Sequence, residues 1–267
     1  MYNLGKLTRL KRLEINGKFL FLALDQGFEH GPTDFNERNL DPAFVLDVAA
    51  KSRVSAIILH KGLAQKYMDD FVGQVPLLLK LNGKANLSKA EPFSTQVASV
   101  KEAIRMGADA VGYTIYVGSR MEHLMYEQAG KIAEEANEYG MPFVVWSYPR
   151  GTDIENKHDL NMIAYSARVA AELGADLAKV YYSGDRDSFS YVVKCGGRCR
   201  VLAAGGIKKE KEEFLQEVKN VMDAGASGMA IGRNIWQYED PYKMANAVAS
   251  IIFDNKSVDE AKNILFG

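Results

Sequence analysis

Short runs of apolar residues alternate with amphipathic segments along most of the chain. Eight runs have the length of a β-strand: Phe19–Leu24, Ala56–Leu59, Leu77–Leu81, Ala110–Ile115, Phe143–Ser147, Leu177–Tyr182, Val201–Ala204 and Gly228–Ile231. Segments between them, such as Met121–Tyr139 and Glu210–Ala224, carry apolar residues at helical spacing. Strands that alternate with helices predict a parallel sheet. Eight such units in about 210 residues predict an α/β fold of the closed (β/α)8 TIM barrel type.

A glycine followed by alanine stands at three predicted junctions between a helix and the next strand, at Gly107, Gly174 and Gly225. Glycine adopts the left-handed backbone that ends many helices, so this repeat marks the N-terminal face of the barrel. No segment rich in proline or serine separates the units, which predicts one domain over residues 1–267. Its expected parts are an N-terminal helix in 1–15, the barrel in 16–235 and C-terminal helices in 236–267.

Composition narrows the class of partner. The chain has 33 Lys and Arg against 34 Asp and Glu, a net charge of −1, which disfavours a broad basic surface for nucleic acid. No apolar run approaches the roughly 18 residues that cross a bilayer, so no membrane partner is expected. The N-terminal segment lacks the apolar centre of a secretory signal, and Cys195 and Cys199 form no disulfide framework. The expected location is therefore the cytoplasm.

A lysine stands inside one of the apolar runs. In barrels of this kind the reacting side chains come from the C-terminal ends of the strands, where Lys179 lies with Leu177 and Tyr181 on its face. If that face points into the barrel, burial beside other cations lowers the pKa of the ammonium and yields a neutral amine that forms Schiff bases. A salt-bridged lysine that only stabilises the barrel is an equally open alternative.

The preceding predicted strand ends in aromatic residues. Trp146 and Tyr148 share one face, which places a phenol beside the lysine strand. A phenol beside an iminium can transfer protons, and Arg150 can bind an anion. Aromatic residues that only pack in the core are the alternative.

Two neighbouring strands near the C-terminus end in glycine. In barrels the loops after the last two strands often bind phosphate through backbone N–H groups. The candidate phosphate-binding residues at these ends are Gly205, Gly206, Gly232 and Arg233. Ser183 and Gly184, directly after the lysine strand, are candidates for the same site or for a second anion site.

The first predicted strand ends at Asp25, a carboxylate that can hydrogen-bond to the lysine or to a substrate hydroxyl. Glu29 and His30 follow in a short loop, so a metal site has to be considered. The chain has four histidines, and His123 and His158 fall far from this loop. We therefore expect neither a metal nor another cofactor.

Six blocks together resemble the archaeal-type class I fructose-1,6-bisphosphate aldolases. They are Leu24–Pro32, Lys80–Gly83, Val111–Tyr116, Val145–Gly151, Ala178–Asp185 and Gly232–Gln237. They extend from the first predicted strand to the end of the eighth, so the resemblance covers nearly the whole chain. Many members of the family have histidine where Gln26 stands, so no proton transfer is assigned to that position.

The resemblance implies a role for each candidate. Lys179 would be the Schiff-base lysine, Tyr148 the proton-transfer residue, Asp25 a catalytic carboxylate and Trp146 a wall of the site. Gly205, Gly206, Gly232 and Arg233 would bind one phosphate of the sugar substrate, and Lys61 or Arg150 the other. The family also implies a homo-oligomer, a decamer or an octamer.

Three other functions remain open. One is a related Schiff-base enzyme, 2-amino-3,7-dideoxy-D-threo-hept-6-ulosonate synthase or a transaldolase. Another is a metal-dependent aldolase or epimerase on the same barrel, and the third is a barrel that binds sugar phosphates without catalysis. The block around Glu29 and the Trp-Ser-Tyr-Pro-Arg-Gly block that begins at Trp146 favour the aldolase.

Overall fold

The computed structural model describes residues 3–267 and contains a closed barrel of eight parallel strands. The barrel strands are β1 (Phe19–Ala23), β2 (Ala56–His60), β3 (Leu77–Lys80), β6 (Ala110–Val117), β7 (Phe143–Pro149), β8 (Leu177–Val180), β9 (Arg200–Ala204) and β10 (Gly228–Ile231). Two short strands, β4 (Asn82–Gly83) and β5 (Thr95–Gln96), form a separate antiparallel pair. The predicted TIM barrel is confirmed.

Helices surround the barrel and flank it in the chain. They are α1 (Leu4–Leu13), α2 (Gln26–His30), α3 (Pro42–Lys51), α4 (Lys61–Tyr67), α5 (Val100–Arg105), α6 (Glu122–Glu138), α7 (Leu160–Glu172), α8 (Arg186–Cys195), α9 (Lys211–Asp223), α10 (Arg233–Trp236), α11 (Pro241–Asp254) and α12 (Val258–Phe266). Short 3-10 helices span Gly31–Asp34 and Met68–Phe71. Within the described part of the chain, no helix has the length and apolar character needed to cross a membrane.

Burial on both faces explains why the strands read as continuous apolar runs. Every residue of β1, β3, β6, β7, β8 and β10 is buried, because one face packs inside the barrel and the other against helices. The repeated glycines also have their predicted conformation, with φ of +72° at Gly107, +83° at Gly174 and +90° at Gly225.

Two strand ends differ from the sequence-based bounds in a way that shapes the site. β7 pairs with β6 as far as Pro149, two residues beyond the predicted end, so Tyr148 stands inside the strand. β8 pairs with β9 only to Val180, so Tyr181 lies in the loop that follows. The extent of pairing depends on the neighbouring strand, which a single apolar run does not reveal.

The barrel closes between β1 and β10, where Phe19 lies opposite Gly228. Gly228 has a φ of +146°, and a Cβ atom there would lie 1.9 Å from the carbonyl oxygen of Phe19. Only glycine fits this approach. The closure brings the residues that follow β1 and β10 together at the C-terminal end of the barrel.

Candidate active site

A polar cavity of about 140 Å³ opens at the C-terminal end of the barrel. Side chains and backbone from most of the barrel strands contribute to its wall. The lining residues are Ala23, Asp25, Gln26, Glu29, His30, Lys80, Thr114, Trp146, Tyr148, Arg150, Lys179, Tyr181, Ala204, Gly205, Gly206, Ala230, Gly232 and Arg233. Nine of the twelve residues that the sequence nominated therefore meet in one cavity.

Lys179 lies on β8 with only 7% of its surface exposed. Its Nζ stands 5.3 Å from the ring centroid of Trp146, the residue opposite it on β7. Burial lowers the pKa of Lys179 to about 8, and nearby Lys80 lowers it further while Asp25 opposes the change. Within residues 3–267 no carboxylate lies within 4 Å of this amine. Roughly a tenth of the amine is therefore neutral at pH 7, far more than for a lysine in water.

A second buried lysine lies in the same cavity. Lys80, at the end of β3, is 5% exposed, and its Nζ lies 3.6 Å from Oδ2 of Asp25 and 5.0 Å from the Trp146 ring centroid. Burial lowers the pKa of Lys80, and Asp25 opposes that effect. Burial would raise the pKa of Asp25, but the charges of Lys80 and Lys179 bring it below its usual value.

The ion pair decides which amine carries the proton. Asp25 is ionised and lies closest to Lys80, so Lys80 is the ammonium that balances its charge. A second ammonium in the same enclosed space would be repelled, which favours the neutral form of Lys179. His60, beside this pair, adds no charge, because burial and Lys80 lower its pKa to about 4.

Trp146 forms the floor under both amines. Its ring lies against Gly112 of β6, where a Cβ atom would stand 2.1 Å from the indole. Only a glycine leaves room for the ring in this position. The indole Nε1 is buried and has no hydrogen-bond partner among the described residues.

Tyr148 and Arg150 belong to a packed polar group on one side of the cavity. The rings of Tyr148 and Tyr181 stack with centroids 4.4 Å apart. Arg150 donates from Nε to the Tyr181 hydroxyl at 2.9 Å, and its Nη1 pairs with Glu29 Oε1 at 2.5 Å. Burial raises the pKa of Tyr148 well above its ordinary value. The phenol is therefore protonated in the free protein.

The glycines after β9 and β10 form the opposite side. Gly206 has a φ of +66°, and Gly232 approaches the first strand so closely that a Cβ atom would lie 2.9 Å from Ala23 O. Arg233 donates from Nη2 to Gly206 O at 3.1 Å, and its Nη1 lies 3.4 Å from Oδ1 of Asp34. Exposed backbone and a guanidinium thus face the cavity, as an anion site requires.

Three nominated residues lie outside the cavity lining. Lys61 begins α4, and its Nζ points to Glu102 at 3.5 Å. Ser183 bonds to Ser188 Oγ at 2.8 Å, and Gly184 lies beside it in the turn before α8. The geometry gives no support to a substrate-binding role for these three residues, because Lys61 begins a helix that leaves the barrel mouth, and β8 ends at Val180, before Ser183 and Gly184.

Some lining residues were absent from the nominated set. One of them is Lys80. Like Lys179, it stands at the end of an apolar strand, so the same sequence pattern could have identified it. Glu29 and His30 follow Asp25 in the segment that the sequence offers as a candidate metal site. Tyr181 stands two residues after Lys179, on the same face of the strand that the sequence predicts. Among residues 3–267 no group of three or more His, Cys, Asp or Glu side chains is arranged to hold a metal ion.

A buried lysine with a lowered pKa at the C-terminal end of a closed α/β barrel defines an aldolase-type site for Schiff-base chemistry. The chain belongs to the DeoC/LacD aldolase family, whose model matches residues 19–238.

Individual relatives extend over nearly the whole chain. The class 1 fructose-bisphosphate aldolase of Thermoproteus tenax is 45% identical over 251 residues, which cover 93% of this chain and 94% of the relative. An archaeal fructose-1,6-bisphosphate aldolase whose catalytic lysine is bound to a carbinolamine intermediate matches with a TM-score of 0.88 and 44% identity, covering 94% and 100% of the two chains. The fructose-bisphosphate aldolase of Slackia heliotrinireducens has a TM-score of 0.93 at 29% identity, covering 98% and 90%.

Proposed function

We propose that the protein is a class I aldolase that reversibly cleaves fructose 1,6-bisphosphate to dihydroxyacetone phosphate and glyceraldehyde 3-phosphate. The observation that carries the proposal is the buried amine of Lys179, held over Trp146 with a pKa of about 8 and no carboxylate partner in the described chain. The names of the relatives supply the substrate. The cavity suits it, because it holds two arginines, Arg150 and Arg233, for two phosphates.

The reaction begins at the amine. Neutral Lys179 attacks C2 of the open-chain ketose, and the resulting carbinolamine loses its hydroxyl as water to form an iminium. Tyr148, which is protonated in the free protein, donates the proton for that departure. The positive charge of the iminium does the work that a metal ion performs in other aldolases.

Cleavage uses the iminium as an electron sink. The carboxylate of Asp25 removes the proton of the C4 hydroxyl, the C3–C4 bond breaks, and its electron pair moves into an enamine. Glyceraldehyde 3-phosphate leaves as the aldehyde. The proton that Asp25 took from the C4 hydroxyl passes to C3 of the enamine and regenerates an iminium. Addition of water then releases dihydroxyacetone phosphate and the free lysine and returns a proton to Tyr148. Asp25 is suited to act as the base, since its lowered pKa keeps it ionised.

The two phosphates bind at opposite sides of the cavity. Gly205, Gly206, Gly232 and Arg233 form one site, where backbone N–H groups and a guanidinium meet. Arg150 binds the other phosphate, in competition with Glu29, which neutralises it in the free protein. Cations on both sides favour a doubly charged substrate over a neutral sugar.

Borohydride reduction with dihydroxyacetone phosphate, followed by peptide mass spectrometry, tests the mechanism. The adduct is expected on Lys179 and absent from Lys179→Ala, while Lys66→Ala, which removes an exposed lysine of α4, retains it. Tyr148→Phe should keep the adduct and slow turnover by about 10²–10⁴-fold. An adduct on another lysine refutes the mechanism. Failure to release triose phosphate from fructose 1,6-bisphosphate refutes the substrate.

We propose further that the protein is cytoplasmic and forms a homo-oligomer, a decamer or an octamer, with one domain per chain. Exposed apolar side chains support association, among them Leu40 at 60% and Phe28 at 45% exposure. Light scattering coupled to size exclusion measures the oligomer. A monomer mass of 29.6 kDa in dilute solution would exclude it.

A further inference from the structure

A buried asparagine behind the cavity wall bonds three times to one loop. Asn234, in α10, has no exposed surface. Its Nδ2 donates to Gly205 O at 2.7 Å and to Ile207 O at 2.6 Å, and its Oδ1 accepts from Lys209 N at 2.8 Å. All three partners belong to residues 205–209, called the 205–209 loop below, which follows β9.

The side chain supplies hydrogen bonds that the loop's own backbone lacks. Within residues 3–267, Gly205 N–H bonds to Ala230 O at 3.0 Å, the last bond of the sheet, and the loop then turns through a left-handed Gly206. No helix or strand bond fixes the peptides that follow. The side-chain amide of Asn234, which donates two hydrogen bonds to the loop and accepts one from it, is therefore a main restraint on the shape of the loop.

The bonds also set the direction of the loop's N–H groups. In a trans peptide the C=O of one residue and the N–H of the next point in opposite directions. Because Asn234 draws the Gly205 carbonyl toward itself, the N–H of Gly206 points away from it, on the side where Gly205 and Gly206 line the cavity. Arg233, the neighbour of Asn234, holds the Gly206 carbonyl at 3.1 Å.

We propose that Asn234 is a positioning residue for phosphate recognition: it holds the 205–209 loop so that Gly206 N–H and Arg233 meet one phosphate of the substrate. The proposal rests on the proposed aldolase function. It makes Asn234 act through the loop, without touching the substrate.

Comparing a phosphorylated with an unphosphorylated ketone tests the proposal. Asn234→Asp keeps the size of the side chain but turns an oxygen toward the carbonyl oxygens of Gly205 and Ile207, which removes both of these hydrogen bonds and repels the loop. We expect the preference for dihydroxyacetone phosphate over dihydroxyacetone, measured as the ratio of trapping rates at Lys179, to fall about ten-fold or more. The KM for fructose 1,6-bisphosphate should rise, with a smaller change in kcat.

Asn39→Asp is the matched control. Asn39 is also buried, at 1% exposure, and it also bonds to backbone, at Asn36 N (2.7 Å) and Trp236 O (3.2 Å). It does not line the active-site cavity. This variant should lose comparable stability and keep the substrate preference.

The outcomes separate two failures. A wild-type protein that forms no Lys179 adduct with either ketone refutes the proposed function and this inference with it. If the adduct forms and Asn234→Asp keeps the wild-type ratio, or slows both ketones equally, Asn234 is only structural and the inference alone is refuted.

A measurement on the unaltered protein covers the case in which Asn234→Asp does not fold. Dihydroxyacetone phosphate should slow amide hydrogen exchange in the 205–209 loop about ten-fold more than dihydroxyacetone does, because only the first ligand accepts from Gly206 N–H. Equal protection by the two ketones would overturn the proposal.

Discussion

At the scale of single residues, the site depends on which of two buried amines pairs with the carboxylate of Asp25. Lys80 and Lys179 stand 5.0 and 5.3 Å from the same indole ring centroid, and Asp25 pairs with Lys80. Burial raises the free energy of both ammonium charges. Lys80 keeps its proton because it forms an ion pair with Asp25, while the pKa of Lys179 falls to about 8. The proposed nucleophile is thus distinguished from Lys80 by its neighbours, since both residues are buried lysines.

Removing Lys80 should change the charge of Lys179. In Lys80→Met, the repulsion that lowers the pKa of Lys179 is lost and Asp25 is left to attract it, so the pKa of Lys179 rises above about 8. We expect the midpoint of the pH profile for cyanoborohydride trapping to rise by about one pH unit. At pH 7 this leaves about ten-fold less neutral amine. Trapping rates with dihydroxyacetone phosphate between pH 6 and 10 measure it.

Two further variants serve as controls for the pH profile of Lys80→Met. Lys80→Arg keeps the positive charge beside Asp25 and should keep the wild-type midpoint, although the larger side chain slows turnover. Lys66→Met, on the surface of α4, should change nothing. A Lys80→Met profile with the wild-type midpoint would show that Lys80 does not control the proton on Lys179.

At the scale of the elements, the apolar alternation was a reliable guide because parallel strands are buried on both faces and therefore have uniform composition. The short elements were not predictable in this way. β4 pairs with β5, and the side chain of Asn82 ties it to β6 by accepting from Thr114 N and donating to Thr114 O, both at 2.7 Å, across 32 residues of sequence. Lys61 shows the same limit: it follows β2 as Lys80 ends β3, but it begins a helix and leaves the barrel mouth.

The close contact between β6 and β7 allows a test at this scale. Gly112→Ala places a methyl group 2.1 Å from the Trp146 ring and 2.9 Å from Leu78 Cδ2, so the ring must move from under the amines. We expect a loss of about 1–3 kcal/mol in the free energy of unfolding. Trapping at Lys179 should slow as well. Urea unfolding and the trapping rate measure the two effects.

The ring itself provides the internal check. Trp146→Phe removes the two indole carbons that collide with the new methyl group, so Gly112→Ala combined with Trp146→Phe should regain most of the lost stability. Gly130→Ala, on α6 with nothing within 4 Å of the new Cβ, is the control and should be neutral or slightly stabilising. Equal losses in the single and double variants would mean that the collision with Trp146 is not the cause.

At the scale of the whole molecule, one junction joins the start of the chain to its end and completes the site. β1 pairs with β10 from Phe19 opposite Gly228 to Leu22 opposite Ile231. Asp25 and Gly232 lie just after these two strands, so the proposed base and the proposed phosphate site come from residues about 200 positions apart. Barrel closure and catalytic competence are therefore expected to be lost together.

Gly228→Ala tests that dependence. The new Cβ atom would lie 1.9 Å from Phe19 O, 2.7 Å from its carbonyl carbon and 2.8 Å from its nitrogen, all of them backbone atoms that cannot rotate away. We expect a loss of about 4 kcal/mol or more, a drop in Tm of roughly 10 °C or more. Thermal unfolding at fixed protein concentration measures this drop.

Gly225→Ala, three residues earlier, provides the comparison. Gly225 has a φ of +90° but open space around it, so alanine there adds only conformational strain of about 1–2 kcal/mol. If the two variants unfold at the same temperature, the positive φ alone explains the cost, and the contact with Phe19 contributes nothing to the closure of the barrel.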